Sequence, residues 1–218
     1  MDRLGYSRYG AQGGDWGSLV SRELGFVAPD HVIGIHVNNI LGLPVEDGAE
    51  LTALEQAHVA RGQAFRRDGF AYVMLQSTRP QTLAFGLADS PIGLLAWLGE
   101  KLMTWSDGPL DREILLTHVM IYWLTGTIAS SVRLYAESGA LFANIQPSTV
   151  PMGVAVAPKD LLPAIRRSAE KSNNIVHWTE LPRGGHFAAT EVPDLLAADV
   201  RSFFGRFRRA EAAHAPVP

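Results

Sequence analysis

GGDWG, residues 13 to 17, is a five-residue turn with glycines on both sides of a central polar residue. It follows a short strand-like segment, Tyr9 to Gln12, and precedes a helical pattern through Ser18, Leu19, Val20, Glu23 and Leu24. Strand, sharp turn and helix in that order are the geometry of a nucleophile elbow. Small flanking residues allow a strained bend that pushes the central side chain into a site at the positive end of the next helix dipole. The central residue is Asp15. A carboxylate attacking carbon gives an ester that water then hydrolyses. The plainer alternative, a glycine-rich turn whose aspartate caps the helix beginning at Trp16, is equally open on these five residues.

Outward from the turn, Val32 to Val37 (VIGIHV), Thr149 to Ala157 and Asn174 to Leu181 are apolar runs of the kind buried on both faces of a parallel sheet. Helical segments are expected at Lys159 to Lys171 and at Pro193 to Phe207, with Pro193 near a helix start. Alternating strands and helices make the chain α/β. From about residue 41 to 142 strand signals nearly vanish. Glu50 to Arg67 and Asp111 to Glu137, the latter broken near Gly126, are its longest helical candidates. Such a block reads as an inserted helical cap over the carboxyl ends of the strands, where open α/β sheets bind ligands. The expected organisation is a core of residues 1–40 and 143–208, a cap of 41–142 and a disordered tail of 209–218.

Composition narrows the function classes. The 218 residues are 47% hydrophobic and 19% charged, with 19 Lys+Arg against 22 Asp+Glu and a formal charge of −3, so no basic excess suggests a nucleic-acid partner. The absence of cysteine excludes disulfide frameworks, thiolate zinc sites and a cysteine nucleophile. Met1 to Gly10 has no apolar run of a secretory signal, so a cytoplasmic location is expected. Pro91 to Trp105 and Val119 to Ile128 fall short of the ~20 apolar residues a spanning helix needs and read as buried helices of a soluble protein. No His or carboxylate pair has metal-ligand spacing and no glycine fingerprint for a cofactor occurs, so neither a metal nor a cofactor is expected.

Two further residues complete a reactive set. His186, in PRGGHFA at 182 to 188, follows two glycines on a loop after the last strand, where an imidazole is free to face the cleft as a general base. Among the seven histidines, His36 and His177 lie in strands and read as core imidazoles, His58 and His118 fit cap helices, and His214 is in the tail. Asp160 follows the third strand, where it is able to orient His186; as an alternative it is a helix N-terminal carboxylate after Pro158. The chain order Asp15, Asp160, His186 is the nucleophile, acid, base order of α/β-hydrolases.

Four blocks, GGDWG at 13–17, QSTRPQTLAFGLADSPIGLLAW at 76–97, MIYWLTGTIASSVRLYAES at 120–138 and RGGHFAA at 183–189, resemble microsomal-type epoxide hydrolases over about residues 3 to 207. The resemblance implies the α/β-hydrolase fold, here the C-terminal half of its parallel sheet plus the inserted helical cap. It also implies that Asp15 opens a small hydrophobic epoxide, and that His186, oriented by Asp160, activates the water that cleaves the ester. Tyr72 and Tyr135 would hydrogen-bond the epoxide oxygen; Tyr135 is preferred to Tyr122 because its flanking residues match the family motif. The Trp16 backbone N–H would be an oxyanion donor. Phe85, Leu94, Trp97 and Trp123 suggest an apolar pocket in the cap. Relatives carry a segment before the elbow with further strands and a second oxyanion donor, so the strand at Tyr9 to Gln12 is expected at a sheet edge. Such an edge favours pairing with another chain, including a homo-oligomer. Two other readings remain: a haloalkane dehalogenase, whose leaving halide is held by Trp or Asn N–H donors, and an inactive truncated fragment that needs an N-terminal half.

Overall fold

The computed structural model describes residues 1–40, 50–139 and 146–213, with side chains as far as residue 208. Four parallel strands, β1 (Tyr9–Gly13), β2 (Val32–Val37), β3 (Ser148–Val156) and β4 (Asn173–Glu180), form one sheet in the order β1-β2-β3-β4. Each lies within one residue of its sequence-predicted bounds. The runs decide the faces by alternation. Ile35 and Val150 lie against Gly25 of α1 (Trp16–Val27). Gly10, Gly34 and Gly153, one on each of three neighbouring strands, lie against Phe204, Phe207 and Phe203 of the C-terminal helix. The sheet core of Ile35, Val37, Met152 and Val154 is thus sealed by a helix on either face.

Between β2 and β3 the described residues form six helices: α2 (Ala53–Asp68), α3 (Ala71–Thr78), α4 (Pro80–Asp89), α5 (Pro91–Thr104), α6 (Arg112–Thr125) and α7 (Ile128–Glu137). Thr52 and Glu55 close a reciprocal capping box at the start of α2, and Pro80 and Pro91 open α4 and α5. The break predicted near Gly126 is real: its φ of 64° ends α6. This layer has its own core of Ala84, Leu87, Leu94, Val119, Ile128 and Val132. Residues 41–49 and 140–142 of the expected cap lie outside the described residues.

Three expectations need correction. After β3 the chain is helical only at α8 (Arg166–Ala169), rather than from Lys159 to Lys171. Pro163 has no N–H to give, the Asp160 carboxylate accepts the Leu161 N–H, and the carbonyls of Lys159 and Asp160 accept from Arg61 of α2 instead of from a helical turn. Following α9 (Ala188–Glu191), the last helix α10 (Pro193–Ala213) runs six residues beyond Phe207. Residues 214–218 of the expected tail, with His214, lie outside the described residues. The apolar stretches of α5 and α6 are buried on one side only: Leu94 and Val119 are enclosed, whereas Ile92, Met103, Ile121 and Leu124 are exposed. No single described helix is long and apolar enough to cross a membrane.

Candidate active site

Asp15 stands at the turn from β1 to α1 with φ 51° and ψ −125°, the one described non-glycine residue with positive φ. A side chain bears that strain only where neighbours over-determine it. A Cβ on Gly13 would lie 2.1 Å from the Gly17 carbonyl oxygen, and one on Gly14 would lie 2.5 Å from the Asn38 amide, so both positions require glycine. Asp15 is also the N-cap of α1: its Oδ1 accepts the Trp16 backbone N–H at 2.8 Å. The capping alternative therefore describes one carboxylate oxygen correctly and misses the other, since Oδ2 lies 2.9 Å from Nε2 of His186.

From His186 the line continues inward. Its Nδ1 is 2.7 Å from Oδ1 of Asp160, which also accepts the Leu161 N–H at 2.6 Å, while Oδ2 of Asp160 accepts from Asn39 at 2.9 Å. Asp15, His186 and Asp160 are thus brought into one hydrogen-bonded row, although they are 171 and 26 residues apart along the chain at its two links. Exposure grades along it: the side chains of Asp160 and His186 are 4% and 5% accessible, that of Asp15 46%.

Burial works against the charge of the His186 imidazolium, but hydrogen bonds and charge from Asp15 and Asp160 outweigh it and push its pKa up to about 10. Burial likewise opposes the Asp15 carboxylate, yet the hydrogen bond and charge of His186 and the Trp16 N–H hold its pKa below the ordinary value. The resting site is therefore an ion pair, with an anionic oxygen at its open end.

Tyr72 of α3 and Tyr135 of α7 face this carboxylate from the cap. Their rings meet edge to face at 5.8 Å, and the Trp16 ring meets that of Tyr135 edge to face at 5.1 Å. Burial raises both phenols above their ordinary pKa, with the Asp15 charge adding to it, so they stay protonated and able to donate. A cavity of about 530 Å³ and another of about 460 Å³ share Asp15, Trp16, Tyr72, Tyr135 and His186. Of the four residues expected to build an apolar pocket, Trp97 lines the larger cavity. Leu94 and Trp123 instead pack the cap core and Phe85 is exposed, because helical periodicity gives each a different face. Tyr122 also lines the larger cavity.

His36 and His177 do occupy the sheet, both bonded to the buried Asp199 at 2.8 Å. His58 and His118 sit on α2 and α6, bonded to the carbonyls of Ala164 and Ile114. Among the described residues no cluster of three or more His, Asp or Glu is placed to hold a metal. Sequence reasoning missed Asn38 and Asn39. Asn38 accepts from Gln12 and wedges against Gly14, while Asn39 holds Asp160. The available signal was two adjacent amides at the carboxyl end of a parallel strand, where such sheets place their ligands.

No protein-family model matches the chain. Epoxide hydrolase 1 of Sus scrofa is 36% identical over 94% of this chain and 52% of its own length. Among solved structures, Aspergillus niger epoxide hydrolase superposes with a TM-score of 0.87 at 38% identity, covering 94% of this chain and 54% of that one. Juvenile hormone epoxide hydrolase of Bombyx mori superposes at 0.88 and 29% identity, covering 97% and 57%. The chain thus spans about half the length of the relatives it matches. Along nearly all of its own length it resembles the microsomal-type epoxide hydrolases and has the α/β-hydrolase architecture of parallel sheet and helical cap.

Proposed function

We propose that the protein adds water to a lipophilic epoxide to give a vicinal diol, by way of an ester on Asp15. The observation that carries this reading is the row Asp160–His186–Asp15 with two protonated phenols facing its open end. Oδ2 of Asp15 attacks a ring carbon, the carbon–oxygen bond breaks, and the departing oxygen takes a proton from the tyrosine pair. An alkoxide leaves poorly without such a donor. The ester carbonyl oxygen is then Oδ1, already on the Trp16 N–H. Alkylation also abolishes the Asp15 charge that keeps His186 protonated, so the imidazolium gives its proton back to the phenolate and the neutral imidazole becomes the base for water. Water adds to the ester carbonyl carbon, the negative charge on Oδ1 is met by the Trp16 N–H, and collapse releases the diol and the carboxylate. His186 keeps the proton taken from water, which restores its ion pair with Asp15, and the proton of the added hydroxyl passes to the departing alkoxide of the diol.

Halide displacement uses the same nucleophile and base, but the two phenols that share the cavities with Asp15 suit a departing oxygen. The test is mass spectrometry after brief incubation with styrene oxide, comparing wild type with His186→Gln. A gain of one substrate mass on Asp15 in the variant, with diol released by wild type, is expected. A folded protein that stays unlabelled by the epoxide yet releases halide from a chloroalkane would overturn the reading.

A further inference from the structure

The loop that carries His186 is held by an arrangement that the chemistry above does not use. Its four successive backbone N–H groups all have acceptors: Gly184 donates to Oδ2 of Asp107 at 2.9 Å, Gly185 to Oε2 of Glu191 at 3.0 Å, His186 to the Trp105 carbonyl at 2.9 Å, and Phe187 to Oε1 of Glu191 at 2.9 Å. Glu191 takes a third N–H, that of Asp107, as the second on its Oε2, at 2.6 Å. Trp105 to Asp107 belong to the cap segment between α5 and α6, so Glu191 joins that segment to the base loop. The backbone is shaped for this contact. Gly184 has φ +116°, and a Cβ on Gly185 would lie 2.5 Å from the Trp105 carbonyl oxygen and 2.8 Å from the Asp107 nitrogen. The Trp105 ring meets the His186 ring edge to face at 5.4 Å and stacks on Phe187.

We propose that Glu191 is the positioning residue for His186, its carboxylate gathering the base loop and the Trp105–Asp107 segment of the cap so that the imidazole reaches Asp15 and Asp160 together. The choice of glutamate follows from the donor count. Two oxygens accepting three N–H groups is a task for a carboxylate; a glutamine of the same shape offers one oxygen and turns its own N–H₂ toward a donor. The catalytic meaning of this positioning rests on the epoxide hydrolase reading, while the positioning itself does not.

The experiment compares wild type, Glu191→Gln and Asp107→Ala by NMR titration of the His186 imidazole, alongside circular dichroism and styrene oxide turnover. With the loop released, the ring moves from its two carboxylates, and its titration midpoint should fall from about 10 by one pH unit or more in Glu191→Gln. Asp107→Ala should give a smaller fall in the same direction. In the turnover assay kcat should drop about 10²-fold with KM nearly unchanged, as for a misplaced base. A folded Glu191→Gln protein with the wild-type midpoint overturns the proposal. If that variant does not fold, Glu191→Asp, whose shorter side chain withdraws the carboxylate from the same three N–H groups, takes its place, and an unchanged midpoint there overturns the proposal. A wild-type protein without turnover counts against the epoxide reading alone, because the titration needs no substrate.

Discussion

Replacing Asp199 with asparagine should destabilise the protein in a way that depends on pH. Asp199 of α10 is 7% accessible and accepts from Nε2 of His36, Nε2 of His177 and the Thr179 hydroxyl. Because a carboxylate only accepts, both rings carry their hydrogen on Nε2, which leaves Nδ1 of the fully buried His36 without a partner. Burial opposes the Asp199 charge, but the hydrogen bonds from His36, Thr179 and His177 outweigh it and bring the pKa from 3.8 to about 2. At about 1.4 kcal/mol per unit, and with solvent screening of the pair, this ionisation contributes about 1 to 2 kcal/mol. The folded pKa lies below the unfolded one, so the contribution is complete above pH ~4 and disappears as the pH falls through that value toward 2. The variant also loses hydrogen-bond acceptance at any pH, about 1 to 3 kcal/mol for each buried donor left unsatisfied. Urea unfolding of both proteins at pH 6, 4 and 3 measures the difference, read as midpoint shifts at constant slope. The gap should be largest at pH 6 and narrow by about 0.5 to 1 kcal/mol by pH 3, where roughly half of the contribution is lost. A gap that stays constant over that range would refute the ionised role of Asp199.

Gly153→Ala places a Cβ 2.8 Å from the Phe203 ring, which is fully buried, so overpacking of about 1 to 3 kcal/mol and a Tm fall of roughly 2 to 12 °C are expected by calorimetry. The control Gly86→Ala, on α4 with open space around the new methyl, should raise Tm slightly. Tyr135→Phe should slow Asp15 alkylation about 10²- to 10³-fold, read by stopped-flow tryptophan fluorescence, while ester hydrolysis continues at its wild-type rate. Since Asp15 titrates below its ordinary value and His186 near 10, the alkylation rate should be flat from pH 5 to 9 and decline only below pH 4; a midpoint near 7 would contradict the ion pair.

Strands and the elbow were legible because their causes are local. Alternation, apolar runs and glycine placement act within a few residues, so β2 (VIGIHV) falls at its expected bounds and Asp15 at its expected turn. The segment after β3 was misread because its carbonyls are satisfied from afar by Arg61, a partner about 100 residues earlier that no local pattern reveals. The cap pocket was misread for a related reason: apolar composition identifies helices that bury something, but only packing against neighbours assigned Leu94 to the core and Trp97 to the cavity.

What the sequence by itself determined is the list of chemical parts and their order: a strained aspartate, a loop histidine, a second carboxylate, and a helical insertion carrying tyrosines. Tertiary structure alone decided the distances that make them a unit. The row from Asp160 to Asp15, the edge-to-face contact of Trp16 with Tyr135, the asparagines behind the elbow and the Glu191 clamp all join residues far apart in the chain. The physical reason is range. Backbone preference is set by adjacent residues, whereas a hydrogen bond or a pKa is set by groups within a few ångströms in space, and the parallel crossovers of the sheet bring those together at one end of its strands.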